Sequence, residues 1–357
     1  MLDAVIIGAG PAGAGAAFDL AAGGRRVLLV DRKKFPREKA CAGGITPRAF
    51  SLFRFDLTGF VLRKCRTLKI RPPRGRSFRL KSPAPLCYMT RRRDLDLLAL
   101  NKAVEKGAIF RGVKKIQSIK RFPNHVEVLA DGRRIRALYL IGADGANSLV
   151  RRICGFDFRI MKNPALEAEI PVDRPKDHEM EFDFSMPGKG YYWVFPRDDH
   201  LNIGIYSALP GKGVKLQLLS DYASIRFPEA KINSFKGYPI GTGGYCRRPG
   251  QGRVLLAGDA AGLAEPCFGE GIYFALKSGQ AAARAILDCG PIKTPGTLYN
   301  QYMKIIRRDL MLYSLGKIFL YRFPSVFFKF LSFPLIQQRF ARGYARGDSL
   351  MKILTHP

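Results

Sequence analysis

Cysteine pairs, histidines and long apolar runs are scarce in this sequence, and each scarcity excludes a class of protein. Among 357 residues there are four histidines and seven cysteines, and no two cysteines form a Cys-x-x-Cys pair. Disulfide scaffolds and zinc sites depend on such clusters, so we expect a reducing compartment and no metal site. No uncharged apolar run reaches the roughly 18 residues that a membrane-spanning helix needs. These absences predict a cytoplasmic chain that does not cross a membrane.

Acidic residues are also few, because 29 Asp and Glu stand against 60 Lys and Arg and leave a formal net charge of +31. Such an excess indicates an anionic partner, namely nucleic acid, an anionic membrane surface or a phosphorylated ligand. Apolar residues make up 47% of the chain, which excludes a disordered protein. The length fits about two domains of ~150 residues each.

The first thirty residues have the pattern of a dinucleotide-binding βαβ unit. A short β-type run at 5–7 precedes a Gly-x-Gly-x-x-Gly loop formed by Gly8, Gly10 and Gly13, and an Ala-rich helix and a second strand follow. In such a loop the first glycine permits the turn, the second lets the backbone approach a pyrophosphate, and the third lets helix and strand pack closely. Asp31 ends the second strand, where it can accept ribose hydroxyls. This motif alone does not separate FAD from NAD.

Two further strands end in a glycine followed by an acid. The first ends in the sequence IGADG, which contains Asp144, and the second ends in LLAGDAAG, which contains Asp259. A GEGI segment then opens a helix at Gly271 and Ile272, whose amides can stabilise negative charge on a reduced flavin ring. We expect the three glycine–acid corners to meet around one dinucleotide, with Asp259 holding a ribose or ribityl hydroxyl.

Together these motifs resemble those of FAD-dependent enzymes with the p-hydroxybenzoate hydroxylase fold, and most of all the geranylgeranyl reductase family. The segment KACAGGI at 39–45 is similar to the family's K-x-C-G-G-G-[LI], and YYWVFPR at 191–197 is similar to its Y-x-W-x-F-P-K. Ala42 stands in place of a family glycine, and Arg197 in place of its lysine. The resemblance covers about residues 1–290. It implies FAD as the cofactor and hydride transfer from reduced flavin to the C=C bonds of an isoprenoid chain on a lipid.

The resemblance also implies roles for individual residues. Cys41 matches the family's active-site cysteine, which makes it a tentative catalytic residue. Arg92 matches an arginine that suits a pyrophosphate, because its guanidinium is planar, bidentate and permanently charged. The implied FAD contacts come from Gly13, Asp31, Cys41, Ala42, Gly44, Arg92, Val113, Asp259, Gly271 and Ile272.

Three alternating aromatic residues, Tyr191, Trp193 and Phe195, project to one face if their segment is a strand. Such a face either lines an apolar substrate channel or packs in the core, and we expect the channel.

The predicted fold class is α/β, with a Rossmann-type FAD-binding domain, an inserted antiparallel-sheet substrate domain and a short helical C-terminal tail. We assign 1–62, 88–154 and 246–290 to the FAD-binding domain, 63–87 and 155–245 to the substrate domain, and 291–357 to the tail.

Two segments are rich in cations. Residues 63–81 carry nine basic and no acidic residues and are predicted to form an outlying hairpin. The tail has six phenylalanines between 314 and 336, interleaved with cations. This composition fits a peripheral element on an anionic membrane, and the alternative is a tail that packs on the protein's own core.

Two other functions stay open at this stage. The same fold serves flavin monooxygenases and halogenases that act on aromatic substrates, although the Cys41 and Tyr191 segments argue against them. A non-enzymatic reading is a basic membrane- or nucleic-acid-binding module with a vestigial cofactor fold, but no nucleic-acid motif accompanies the charge. We therefore expect a monomer that binds an isoprenoid lipid and no nucleic acid. The electron donor, NAD(P)H or ferredoxin, and the proton donor are open.

Overall fold

The computed structural model describes residues 1–211, 214–229, 232, 234–289 and 294–355. Its strands are β1 Leu2–Ile7, β2 Val27–Asp31, β3 Gly44–Ile45, β4 Arg63–Cys65, β5 Thr67–Arg71, β6 Phe78–Lys81, β7 Cys87–Met89, β8 Ile109–Gly112, β9 Ile116–Arg121, β10 Val126–Ala130, β11 Arg133–Gly142, β12 Met161–Pro171, β13 Met180–Asp183, β14 Gly190–Pro196, β15 His200–Ser207, β16 Phe235–Thr242, β17 Gly250–Gln251 and β18 Val254–Leu256. Its helices are α1 Pro11–Ala22, α2 Pro47–Phe50, α3 Arg92–Glu105, α4 Leu149–Ile153, α5 Leu216–Arg226, α6 Ile272–Leu287, α7 Pro295–Arg322, α8 Pro324–Ser332, α9 Pro334–Ala345 and α10 Leu350–Thr355.

The first sheet brings the three glycine–acid corners to one edge. Its strand order is β17-β18-β11-β1-β2-β8, with β10 and β9 continuing from β11. Strand β1 pairs in parallel with β2 and β11, and β18 pairs in parallel with β11. The carboxyl ends of parallel strands lie at the same edge, which is where open α/β sheets bind their ligands. Helices α1, α3 and α6 pack beside this sheet, and the Ala- and Gly-rich face of α1 lets α6 approach closely.

The second sheet has the strand order β16-β12-β15-β14-β13-β5-β6 and is antiparallel except where β13 meets β5. The basic segment 63–81 does form a hairpin from β5 and β6, but it is not outlying. It continues the sheet at β13, while β4 pairs with β7 in a separate three-stranded sheet. The division of the chain into a cofactor domain and a substrate domain stays a prediction.

The C-terminal tail is helical, as expected, but it is longer and better packed than a short appendage. Proline at the first position starts each of α7, α8 and α9, where its missing N–H costs nothing. One face of the first half of α7 is buried in the core next to α6, and the Tyr299 hydroxyl donates a hydrogen bond of 2.7 Å to the Leu256 carbonyl. Beyond that half, many apolar side chains are exposed. Within the described ranges, none of the helices has the length and apolar character to cross a membrane.

The expected α/β class is confirmed in both of its parts, the mostly parallel sheet with flanking helices and the inserted antiparallel sheet.

Candidate functional site

A cavity of about 1700 Å³ runs from the glycine loop to the aromatic strand β14 and onward to the C-terminal helices. The predicted site residues lie along it with one exception. Gly13 lies behind the loop, where an added Cβ would be 1.8 Å from the Gly8 carbonyl oxygen. Glycine at this position therefore lets α1 pack closely against the loop. Lining the cavity are Gly8, Gly10, Asp31, Cys41, Ala42, Gly44, Arg92, Val113, Asp144, Tyr191, Trp193, Phe195, Asp259, Gly271 and Ile272.

The glycine loop leaves open space where a phosphate would sit. Gly8 has a φ of +103°, and an added Cβ would lie 2.3 Å from the Ala143 carbonyl oxygen, so the turn needs glycine. An added Cβ on Gly10 would meet only the guanidinium of Arg37, at 3.4 Å. The loop backbone is therefore accessible on the side that faces Arg37.

The three acids at the sheet edge are held in different ways. Asp31 accepts hydrogen bonds of 2.8 Å from the Ala9 and Lys33 amides, which fixes its carboxylate beside the loop. Burial raises the pKa of Asp259, whose oxygens lie near the start of α6. The Asp144 carboxylate accepts hydrogen bonds from the Ser148 hydroxyl and the Leu149 amide, both at 2.6 Å. Asp144 thus lines the cavity while its side chain is committed to the start of α4.

Two arginines and one carboxylate form a buried cationic group beside Gly10. Arg92 donates from Nε and Nη2 to the two oxygens of Asp96, at 3.0 and 2.9 Å, and Arg37 reaches the same carboxylate at 2.9 Å. The Asp96 charge and burial act in opposite directions, and the net result is a raised pKa for Arg92. The Nε of Arg37 is buried without a hydrogen-bond partner among the described residues. One positive charge of this group is therefore not compensated by Asp96, and Nη2 of Arg37 is the atom nearest to the loop at Gly10.

Arg37 was missed by the sequence analysis, which named only Arg92 for the pyrophosphate. The neighbours of Arg92 are engaged elsewhere, since Arg91 pairs with Asp198 and Asp199 at the surface and Arg93 is exposed near Glu38. Arg37 follows the second strand of the βαβ unit by a few residues, and this position was the only indication in the sequence. The local pattern does not predict that its side chain points towards the loop.

The loop that carries Cys41 is tied to the aromatic strand through a chain of hydrogen bonds. The Cys41 amide donates to Glu167 at 2.8 Å, and the Asn202 amide donates to the same carboxylate oxygen at 3.3 Å. Asn202 in turn accepts a bond of 2.8 Å from the Trp193 indole. Arg197, which replaces the family's lysine, donates to the Cys41 carbonyl at 3.1 Å. Burial raises the pKa of Glu167.

The aromatic residues of β14 both line the cavity and pack in the core. Tyr191, Trp193 and Phe195 share one face, while Tyr192 and Val194 face the other way toward α5. The Tyr191 hydroxyl donates to the Phe268 carbonyl. Phe328 of α8 joins the same apolar cluster, with its ring centroid 4.9 Å from that of Phe184. We call the space between β14 and the helices α7–α10 the chamber, and its lining is largely apolar.

These residues fit FAD. The glycine loop and the unpartnered guanidinium nitrogen of Arg37 suit the pyrophosphate of a dinucleotide. The acid at the end of β2, Asp31, suits its ribose. The described residues contain no cluster of three or more His, Cys, Asp or Glu side chains that could hold a metal ion.

Comparison with known proteins agrees with this geometry. The FAD-binding domain family matches residues 1–288 of the chain. An uncharacterized protein of Methanosarcina barkeri is 33% identical over 98% of this chain and 93% of its own length. A menaquinone reductase of Mycolicibacterium smegmatis is 30% identical, over 81% of this chain and 77% of that enzyme. A geranylgeranyl diphosphate reductase of Rhodobacter capsulatus is 31% identical over 80% of this chain and 75% of that enzyme.

The chain belongs to the geranylgeranyl reductase family. It is an FAD-dependent oxidoreductase of this family, as the motifs predicted. A solved structure of a geranylgeranyl bacteriochlorophyll reductase-like protein from Thermoplasma acidophilum has the same fold, with a TM-score of 0.78 at 20% identity over 99% of this chain and 94% of that one. A flavin-dependent brominase shares the fold equally well, with a TM-score of 0.80 at 20% identity over 99% and 97%. At this identity the likeness shows the fold alone.

Proposed function

We propose that this member of the geranylgeranyl reductase family saturates C=C bonds in the isoprenoid chain of a lipid. The observation that carries the proposal is the single cavity, which joins a dinucleotide cradle at one end to an apolar aromatic chamber at the other. Relatives named for reduction of geranylgeranyl diphosphate and of menaquinone act on isoprenoid-bearing molecules, which supports the same substrate class here.

The cofactor half would hold FAD through residues already described. The Gly8–Gly10 backbone, Arg37 and Arg92 would bind the pyrophosphate, and Asp31 and Asp259 would accept hydrogen bonds from ribose and ribityl hydroxyls. The Gly271 and Ile272 amides at the start of α6 would face the flavin ring. When bound and reduced, FAD supplies the hydride.

The chamber would hold the alkene and keep water away from it. An isolated double bond offers no polar handle, so it must be held about 3–3.5 Å from the hydride donor by shape and apolar contact. Tyr191, Trp193 and Phe195 form one wall, and Phe327 and Leu331 of α8 lie on the other. The tie from Trp193 to Glu167 fixes this wall against the Cys41 loop. Cys41 stays a tentative catalytic residue at the junction.

The decisive experiment reduces the FAD-loaded protein with dithionite in the absence of oxygen and adds an isoprenoid substrate. We would offer geranylgeranyl diphosphate, a geranylgeranylated phospholipid and menaquinone separately. After any quinol has been reoxidised in air, we expect one of them to have gained the mass of one H₂ for each C=C bond reduced. Because dithionite reduces the flavin directly, the experiment does not depend on whether NAD(P)H or ferredoxin is the natural electron donor. A yellow protein that reoxidises with none of the three would contradict the proposal.

The brominase likeness keeps an oxidative function as the second candidate. Because a monooxygenase or halogenase uses molecular oxygen, it would consume oxygen and NAD(P)H together when given an aromatic substrate. We expect no such coupling. The non-enzymatic alternative requires a purified protein without flavin absorbance, whereas we expect a yellow protein.

We also propose that the chain docks peripherally on anionic membranes through the face where the chamber opens. Leu315, Phe319 and Phe330 line the cavity and are at the same time exposed, so the mouth lies among them. Around the mouth, the exposed phenylalanines Phe323 and Phe333 stand close in sequence to the exposed cations Arg322 and Lys329. An apolar face flanked by cations suits the headgroup region of an anionic bilayer.

A further inference from the structure

Glu265 is a buried carboxyl in the chamber that none of the roles above uses. It is 1% exposed, and it lines the cavity just before the loop that leads to Gly271. Its carboxylate accepts hydrogen bonds from the amides of Cys267 and Phe268, the second at 2.8 Å. In the ranges that the structure describes, no lysine or arginine forms an ion pair with it.

The surroundings of Glu265 favour its protonated form. The charged and titratable groups that face it are Cys267 and Glu270 of its own loop, Arg48 of α2, Tyr191 and Tyr206 of β14 and β15, and Tyr313, Lys317 and Tyr321 of α7. Arg48 is engaged by Glu270, and Lys317 donates to the Ala208 carbonyl at 2.7 Å. Burial raises the pKa of Glu265 to about 8, because a desolvated carboxylate is costly, and it outweighs the Phe268 and Cys267 amide bonds, which favour the ionised form.

Glu265 stands between the two halves of the cavity. Its amide donates to the Glu270 carbonyl at 3.0 Å, and its carbonyl accepts from the Gly269 amide at 3.0 Å, so it is built into the turn before α6. On the chamber side, the Tyr206 hydroxyl donates to the Pro266 carbonyl at 3.1 Å. The turn is thereby fixed against the aromatic strands.

Other acids along the cavity are engaged elsewhere. Asp31, Asp144 and Asp259 lie at the dinucleotide end, Glu38 pairs with Lys236 at 3.6 Å, Glu167 holds the Cys41 loop, and Glu270 is paired with Arg48.

Saturating an alkene requires a hydride at one carbon and a proton at the other. We propose that the Glu265 carboxyl delivers this proton, an inference that rests on the proposed function. The O–H bond of Glu265 breaks as a C–H bond forms at one alkene carbon, and the other carbon receives the hydride that reduced FAD supplies. The alkene gains two electrons and the cofactor loses two. The Glu265 carboxylate regains a proton from water, and a donor of the NAD(P)H or ferredoxin class reduces the cofactor again.

The test measures how fast the substrate accepted by the wild-type protein reoxidises the dithionite-reduced holoenzyme, as a function of pH. Since the acid must hold its proton, the wild-type rate is expected to be constant below about pH 8 and to fall above it. We expect Glu265→Gln to retain FAD and to react about 100-fold more slowly or worse, the range for loss of a general acid, with no alkaline fall. Glu105→Gln, an exposed residue at the end of α3, is the matched control and should behave as wild type.

A second readout needs no turnover. Infrared difference spectra of the FAD-loaded protein should show a protonated-carboxyl band that disappears between pH 7 and pH 9 in wild type and is absent from Glu265→Gln. The proposal is overturned if that band is missing, if Glu265→Gln keeps the wild-type rate and pH profile, or if Cys41→Ser abolishes the alkaline fall while Glu265→Gln does not. Failure of the wild type with every isoprenoid contradicts the proposed function instead, and the infrared titration still reports on Glu265.

Discussion

Arg37 shows how a single residue far from any motif completes the cofactor site. Its guanidinium pairs with Asp96, lies 3.4 Å from the position of a Cβ on Gly10, and leaves Nε buried without a partner in the described chain. A buried donor without an acceptor is costly, and an anionic ligand would relieve that cost.

Replacing Arg37 by leucine should weaken FAD binding about 10- to 100-fold. The side chain would lose its charged hydrogen bonds, which are worth about 1.5–3 kcal/mol each, while Asp96 keeps its bonds to Arg92. Titration of the apoprotein with FAD, followed by flavin fluorescence, gives the dissociation constant. Arg91→Leu is the control, because Arg91 bonds Asp198 and Asp199 at the surface. Equal affinities for the two variants would contradict the role given to Arg37.

Residues inside short motifs could be predicted from the sequence, and residues brought in by long-range packing could not. Gly8 and Asp31 belong to one βαβ unit, so their spacing alone placed them at the sheet edge. Glu265 and Arg37 depend on how distant segments pack, since the turn at Glu265 is fixed by Tyr191 and Tyr206 from another sheet. No local pattern encodes that contact.

At the level of elements, α7 changes surroundings along its length. One face of its first half is core, with Tyr299, Met303 and Ile306 at most 1% exposed. In its second half Leu320 is still buried, but more apolar side chains are exposed, such as Ile318 at 62%. The sequence predicted an aromatic, basic tail but could not separate the two halves. Apolar residues recur on a helix in the same way whether the partner is core or lipid.

Two substitutions in α7 should therefore differ sharply in their effect on stability. Met303→Ala removes a fully buried side chain and should lower the free energy of unfolding by about 2–5 kcal/mol. Ile318→Ala should change it by less than about 0.5 kcal/mol, since the side chain is exposed. Urea unfolding of the holoenzyme measures both. A similar loss for the two variants would show that the second half of α7 is packed after all.

At the scale of the whole molecule, the net charge of +31 and the exposed apolar mouth act together. On the docking proposed above, the charge would draw the chain to anionic surfaces over a distance set by ionic strength, and the apolar face would determine which side of the molecule makes contact. A lipid substrate could then pass from the bilayer into the chamber without crossing water.

Two paired variants separate these contributions to membrane binding. Arg322→Gln with Lys329→Gln should weaken binding to vesicles containing phosphatidylglycerol about 30-fold at low salt, since each cation near the surface is worth about 1 kcal/mol. Phe323→Ser with Phe333→Ser should weaken binding at high salt as well. Lys120→Gln with Arg133→Gln, which removes two exposed cations on β9 and β11, is the charge-matched control. If vesicle flotation ranks all three alike, the docking face is elsewhere.

The helices that close the chamber lie beyond residue 288, where the match to the FAD-binding domain family ends. One wall of the chamber therefore belongs to a different stretch of the chain from the dinucleotide cradle, whereas the opposite wall, on β14, lies inside the matched range. Exchanging α8–α10 between relatives would, on this view, be a practical way to re-target the enzyme to a new hydrocarbon while its redox centre stays intact.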